Sequence, residues 1–105
     1  MSDATVKLDS KAFAAQLHTQ FKVHTGEGDP MVVELFEVLE PSAPPQVELF
    51  LLHFRGPRTP RLPQRIHHFD QEKLGAFDLF ITAIEADERG IVYEAVFNRL
   101  RKQPA

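Results

Sequence analysis

The sequence contains no cysteine, so disulfide bonds and thiolate metal sites are excluded, and the absence fits a reducing compartment. It also lacks tryptophan, and nine of its ten aromatic residues are phenylalanine, which packs without needing a polar partner. Serine occurs only at positions 2, 10 and 42, outside any nucleophile-elbow pattern. The sequence therefore offers few candidate nucleophiles for a hydrolase that uses an activated serine or thiol.

Long apolar runs and glycine-rich phosphate loops are missing as well. The longest apolar stretches, near 49–54 and 79–84, are far too short for a membrane span, and the polar N-terminus leads into no apolar run of signal length. The formal net charge is −3, from 12 basic and 15 acidic side chains, which argues against a general affinity for nucleic acid or anionic membranes. We expect a soluble, cytoplasmic, bacterial-type protein without a cofactor.

The 105 residues, of which 43% are hydrophobic, suit one domain with a single core. We expect an ordered body over about residues 5–100 and a polar C-terminal tail over 101–105 that frays. Residues 11–18 are predicted to form a short helix with Ser10 as its N-cap. Phe13 and Leu17 share a narrow apolar face, which suits a helix lying over the end or edge of a sheet.

After the helix, the apolar pattern indicates strands separated by turns and proline-rich loops. The predicted strands cover residues 19–24, 31–40, 47–54, 66–69, 74–84 and 91–100. No helix-length segment separates them, so antiparallel pairing follows. The sequence predicts a mainly-β fold of about six antiparallel strands with one short N-terminal helix, closed into a small barrel or split into a sandwich.

Two acidic residues in the second predicted strand do not fit strict alternation, because Glu34 and Glu37 are three positions apart. A β-bulge near residues 35 and 36 would place both in water and keep three apolar side chains inward, namely Val33, Leu35 and Val38. An amphipathic helix is the rival interpretation, and the valines of this segment make it the weaker one. The 47–54 strand is so apolar that we expect it to be central or near a dimer contact.

Four short segments carry a resemblance to a known family: FRGP at 54–57, LPQ at 62–64, LGAFDLF at 74–80 and YEAVFN at 93–98. Over about residues 10–99 the chain resembles a family of small bacterial proteins classed only as a domain of unknown function. The resemblance implies a small mainly-β domain with no known activity. It also implies an accessory structural role, in the setting of phage-tail-like assemblies.

The five histidines invite a metal-site interpretation. His67 and His68 are adjacent in a strand, so they point to opposite faces and cannot chelate one ion together. A site would need His53, one of these two, and a carboxylate such as Asp70. The spacing carries no ligand signature, and we expect no bound metal.

Charged residues mark two further features. The loop between residues 55 and 65 has four arginines and no aromatic residue, so we expect either arginines paired with nearby acids or contact with an acidic protein.

Asp78 lies among apolar neighbours, on the side of Phe80 and Ile84. We predict that it points inward as a structural residue, bonded to an arginine or backbone N–H of the 55–65 segment.

Two functional hypotheses follow. The first is a non-enzymatic structural or adaptor module that uses exposed strand edges and the 47–54 strand for protein–protein contact or self-association. The alternative is a small-ligand-binding β-barrel or enzyme with an Arg- and His-lined mouth. No residue is predicted to be catalytic. The candidate contact residues for either hypothesis are Arg55, Arg58, Arg61, Arg65, His53, His67 and Tyr93.

Overall fold

The computed structural model describes residues 8–26 and 28–100, which include one helix and six strands. In chain order these are α1 (Ser10–Ala14), β1 (Gln20–His24), β2 (Met31–Leu39), β3 (Val47–Gly56), β4 (Arg65–Gln71), β5 (Gly75–Asp87) and β6 (Gly90–Leu100). All paired neighbours are antiparallel, so the predicted mainly-β fold is confirmed. The predicted tail at 101–105 lies outside the described residues.

The strands form a closed barrel in the order β1-β2-β3-β6-β5-β4. Of the two predicted arrangements, the fold is therefore the barrel and not the sandwich. Closure comes from the pairing of β1 with β4, where Val23 lies opposite Phe69. Each strand therefore has a neighbour on both sides. None of the six described strands has a free edge along its whole length, which removes much of the edge surface that the sequence predicts for protein contact.

The helix is shorter than predicted, and its N-cap is Asp9 rather than Ser10. A side-chain oxygen of Asp9 accepts a hydrogen bond from the backbone N–H of Ala12 at 2.9 Å. The helix ends at Ala14, and four residues later the backbone N–H of His18 donates to the carbonyl of Leu35. The backbone thus changes from helical hydrogen bonds to hydrogen bonds with the sheet within about one helical turn.

The predicted bulge in β2 is confirmed. The register of β2 against β3 shifts between Leu35 and Glu37, so that Leu35 faces Phe54 and Glu37 faces His53. Leu35 is buried, Glu34 is exposed, and the Glu37 side chain is about half exposed. A second shift between Ala83 and Glu85 lets the long strand β5 follow the curvature of the barrel.

The barrel interior is filled by side chains. Residues of every strand contribute, and the largest fully buried ones are Tyr93, Phe13, Phe21, Phe50, Phe54, Phe69, Leu35, Leu52, Ile81, Val23 and Val33. At the helix end, Phe13 enters among the rings of Phe21, Phe50, Phe77 and Phe97, with centroid distances of 5.6–6.4 Å. The interior is therefore a packed core at this end.

The opposite end is covered by the loop of residues 57–64 between β3 and β4. Leu62 in the middle of this loop is buried and belongs to the same apolar cluster as the barrel core. The interior is therefore covered at both ends, by Phe13 and by Leu62. Nowhere in the described part of the chain is a helix long and apolar enough to cross a membrane.

Candidate interaction surfaces

Two of the candidate contact residues lie inside the protein and hold the 57–64 loop. The backbone N–H of Leu62 donates a hydrogen bond to the hydroxyl oxygen of Tyr93 at 2.8 Å. His67 is 4% exposed, and its Nε2 lies 2.8 Å from the carbonyl oxygen of Pro63, to which it can donate. Both side chains satisfy backbone groups of the loop that would otherwise be left without partners. They have structural roles, which corrects their assignment to a contact surface.

The remaining candidates are divided between the loop and the outer wall, so the predicted mouth does not form. Arg58, Arg61 and Arg65 are exposed at the loop end of the barrel. His53 and Arg55 lie on β3 and point to the outer wall, away from Tyr93. The structure does not bring His53, Arg55, His67 and Tyr93 around one opening, because alternation along β3 and β6 places them on opposite sides of the sheet.

On the outer wall, His53 lies between two carboxylates contributed by the neighbouring strands. Its Nδ1 is 2.8 Å from Glu37 of β2 and its Nε2 is 3.0 Å from Glu94 of β6. The three residues face each other directly in the strand registers, and the His53 side chain is only 13% exposed. Each ring nitrogen therefore serves a different carboxylate, an arrangement that suits an imidazolium donating two hydrogen bonds.

This environment changes the acid–base behaviour of His53. Burial by itself lowers the pKa of the imidazole, but the hydrogen bonds to Glu94 and Glu37 and the negative charges of these two residues outweigh it. The net result is a pKa raised above the ordinary value of 6.5. A raised pKa in the folded state means that protonation of His53 stabilises the fold.

We expect His53→Gln to lower the free energy of unfolding in a pH-dependent way. The folded pKa exceeds the unfolded one, so the contribution of His53 is complete below about pH 6.5 and is lost as the pH rises through the folded pKa. The difference from wild type should be about 1–2 kcal/mol at mildly acidic pH and smaller at alkaline pH. Urea denaturation at both pH values measures it.

The matched control for this prediction is His68→Gln. His68 also contacts a carboxylate, Asp78, at 2.8 Å, but the two side chains are 53% and 64% exposed. We expect this variant to differ little from wild type at either pH, because solvent screens the pair. A His53→Gln difference that is the same at both pH values would contradict the prediction.

Asp78 itself points to solvent, so the prediction of an inward structural carboxylate is wrong. Phe77 and Leu79 face the core instead, and the partner of Asp78 is His68, the residue opposite it on β4, rather than an arginine of the loop. The alternation was assigned with the wrong parity, since Phe80 and Ile84 are exposed. Because both partners are largely exposed, the pair contributes below about 1 kcal/mol.

Phe80 is part of an apolar band on the outer wall. The band consists of Leu39, Leu51, Val96, Phe80 and Ile66, contributed by five strands. Leu39 pairs with Leu51, which pairs with Val96, and Phe80 pairs with Ile66. The pairing of β5 with β6 ends at Thr82 and Glu94, and Phe80 and Val96 are the next outward positions beyond that end. Val96 is 54% exposed and Phe80 is 51% exposed.

The sequence does not predict the band. It predicts the 47–54 strand as the apolar contact surface instead. In the structure, alternate residues of that strand, such as Phe50 and Leu52, are buried in the core. Leu51 on the outer side is half-buried and joins the band. The sequence signal for the band is Phe80, an apolar residue that shares its parity with the charged Asp78.

A polar groove of about 740 Å³ lies on the side of the barrel, where α1 leads into β1 and β4 turns into β5. Charges of both signs line it, from Lys22 and Lys73 and from Asp70 and Glu72. Its size suits a small ligand, but Val32 is the one apolar residue among the described residues that line it. Within residues 8–26 and 28–100, no three histidine or acidic side chains are grouped so that they could hold a metal ion.

The chain matches the family model of the domain of unknown function DUF6916 over residues 8–97. Searches of curated proteins and of solved structures give no significant match. The matched region begins two residues before α1 and ends at Phe97 in β6, so it covers five strands in full and most of the sixth. The chain therefore belongs to the DUF6916 family.

Proposed function

We propose that this domain is a non-enzymatic protein-contact module, and that the apolar band on its outer wall binds the same band of a second copy. The observation that carries the proposal is a set of outward apolar side chains on adjacent strands, which pair as Leu39 with Leu51, Leu51 with Val96, and Phe80 with Ile66. Contiguous exposed apolar surface on a folded domain usually marks a contact site. Removing it from water stabilises association by about 25 cal/mol per Å² before the costs of binding.

The chemistry of the band favours a second copy as the partner. None of its five residues is charged, so it has no group that would select a partner by charge. In a two-fold contact the same patch occurs on both sides, and an uncharged apolar row can pack against itself without burying unpaired polar groups. The net charge of −3 is small enough that repulsion between copies is weak.

The filled interior favours a contact module over the small-ligand alternative. His67 and Tyr93, which would line a barrel mouth, are buried and bonded to the 57–64 loop, and Leu62 occupies the loop end of the core. The accessory role in a phage-tail-like assembly that the resemblance implies remains a prediction. Such a role requires that the domain contact other protein chains, and the band gives it a surface suited to that.

The test is sedimentation velocity of the purified protein over a wide concentration range. We expect a reversible monomer–dimer equilibrium in the wild type. Val96→Lys places a charge in the centre of the band and should weaken dimerisation at least about tenfold, since a buried unpaired charge costs more than 1.4 kcal/mol. Circular dichroism should show that the variant remains folded, because Val96 does not pack in the core.

Val32→Lys is the matched control. Val32 is also an outward valine of a strand, 44% exposed, but it pairs with Lys22 and lines the polar groove rather than belonging to the band. We expect it to leave the dimerisation constant unchanged. A wild-type protein that stays monomeric at the highest concentrations, or equal effects of the two substitutions, would overturn the proposal.

A further inference from the structure

The loop end of the barrel carries three arginines without partners. Arg58, Arg61 and Arg65 are exposed, and within residues 8–26 and 28–100 their side chains make no hydrogen bond or ion pair. Two other arginines of the chain are paired, Arg55 with Asp87 and Arg99 with Glu48. In a chain with more acidic than basic residues, pairing would be easy. The prediction that the loop arginines pair with nearby acids is thus wrong for these three.

The loop that carries these arginines is held in one conformation by contacts with buried residues of the barrel. The Leu62 side chain is buried, its N–H is bonded to Tyr93, and the Pro63 carbonyl is bonded to His67. Three exposed prolines at 57, 60 and 63 restrict the backbone between these anchors. A loop fixed before binding loses little conformational entropy when a partner arrives.

The surroundings of the loop favour an acidic protein segment over a nucleic acid. Residues 57–65 contain no aromatic side chain on which a base could stack. The turn of the adjacent hairpin, which approaches the loop where Gly90 meets Gly56, carries two acidic residues, Asp87 and Glu88, and one basic residue, Arg89. The positive surface is therefore confined to a few residues, which suits a short acidic stretch better than a long polyanion.

We propose that the 57–65 segment is a second contact site that binds an acidic segment of another protein through Arg58, Arg61 and Arg65. Arginine is suited to this role, since its guanidinium can donate two parallel hydrogen bonds to one carboxylate. The site lies at the end of the barrel, apart from the apolar band on its wall. One copy can thus contact a second copy and an acidic partner at the same time.

Isothermal titration of the full chain with a short glutamate-rich peptide tests the proposal, with a glutamine-rich peptide of the same length as the uncharged probe. We expect saturable binding of the acidic peptide that weakens as salt is added, and none of the uncharged one. The double variant Arg58→Gln/Arg61→Gln should lose about tenfold or more in affinity. Lys73→Gln makes the same kind of charge change at the other end of β4 and should leave binding unchanged.

Three outcomes would overturn the proposal: no saturable binding of the acidic peptide, an equal loss of affinity in Lys73→Gln, or binding of a single-stranded oligonucleotide of the same charge as tightly as the peptide. The Val96→Lys variant separates this site from the apolar band. It should bind the acidic peptide like the wild type, so a failure of dimerisation and a failure of the loop site are distinguishable.

Discussion

Phe13→Ala should lower the free energy of unfolding by about 3–5 kcal/mol, the range for a large aromatic residue truncated in a core. Phe13 is fully buried and lies within 6.4 Å, between ring centroids, of four other phenylalanines at the end of the barrel. Alanine would leave a cavity that these rings cannot fill, because they are anchored on the strands. The free energy of unfolding of a domain of this size is only about 5–15 kcal/mol in total, so the variant should be marginally stable.

Urea denaturation followed by circular dichroism measures this effect, and two features of the chain make the result specific. Alanine is a better helix former than phenylalanine, so a loss cannot be attributed to the propensity of α1. Phe80→Ala removes the same side chain from the exposed outer wall and should cost far less in dilute solution, where association does not contribute. Equal losses in the two variants would contradict the assignment of Phe13 to the core.

Gly90→Ala should be destabilising by about 3–5 kcal/mol, the sum of backbone strain and overpacking. Gly90 has φ +132°, a region that residues with a Cβ rarely adopt. A Cβ at this position would also overlap the carbonyl oxygen of Gly56, which is part of β3. Relief would require β3 and β6 to move apart at the start of their ten-residue pairing.

Gly26→Ala separates the two causes. Gly26 also has positive φ, +90°, but a Cβ there would meet nothing within 4 Å. We expect it to cost only the backbone strain, about 1 kcal/mol. Thermal and urea unfolding of both variants give the comparison, and a Gly90→Ala loss no larger than that of Gly26→Ala would show that the strands have room to separate.

Local patterns in the sequence were sufficient for the elements and for one detail of their geometry. Alternation and turn residues predicted six strands and the short helix before them. The three-residue spacing of Glu34 and Glu37 predicted the bulge, because only an extra residue between them lets both leave the core. These inferences succeeded because they depend on side-chain direction within a single strand.

Local patterns failed where both sides of a strand are apolar. Around Asp78, Phe77 and Leu79 compete with Phe80 for the core. The charge of Asp78 favours burial of Phe77 and Leu79, whereas Phe80 favours the opposite parity, so the local pattern is divided. The pairing of β5 with β4 decides the parity, since it places Phe77 opposite the fully buried Phe69 and Asp78 opposite His68. The apolar band on the outer wall follows from the same decision.

The sequence by itself determined the fold class, the strand content, the bulge and the absence of thiol chemistry, all of which are properties of composition or of one segment. The tertiary structure decided the rest: the β1–β4 closure, the two ends covered by Phe13 and Leu62, the His53 site and the unpaired state of the loop arginines. His53 is 16 residues from Glu37 and 41 from Glu94, and only the registers of β3 with its neighbours bring them together. Contacts between distant segments depend on which strands pair and in what register, and no single segment encodes that choice.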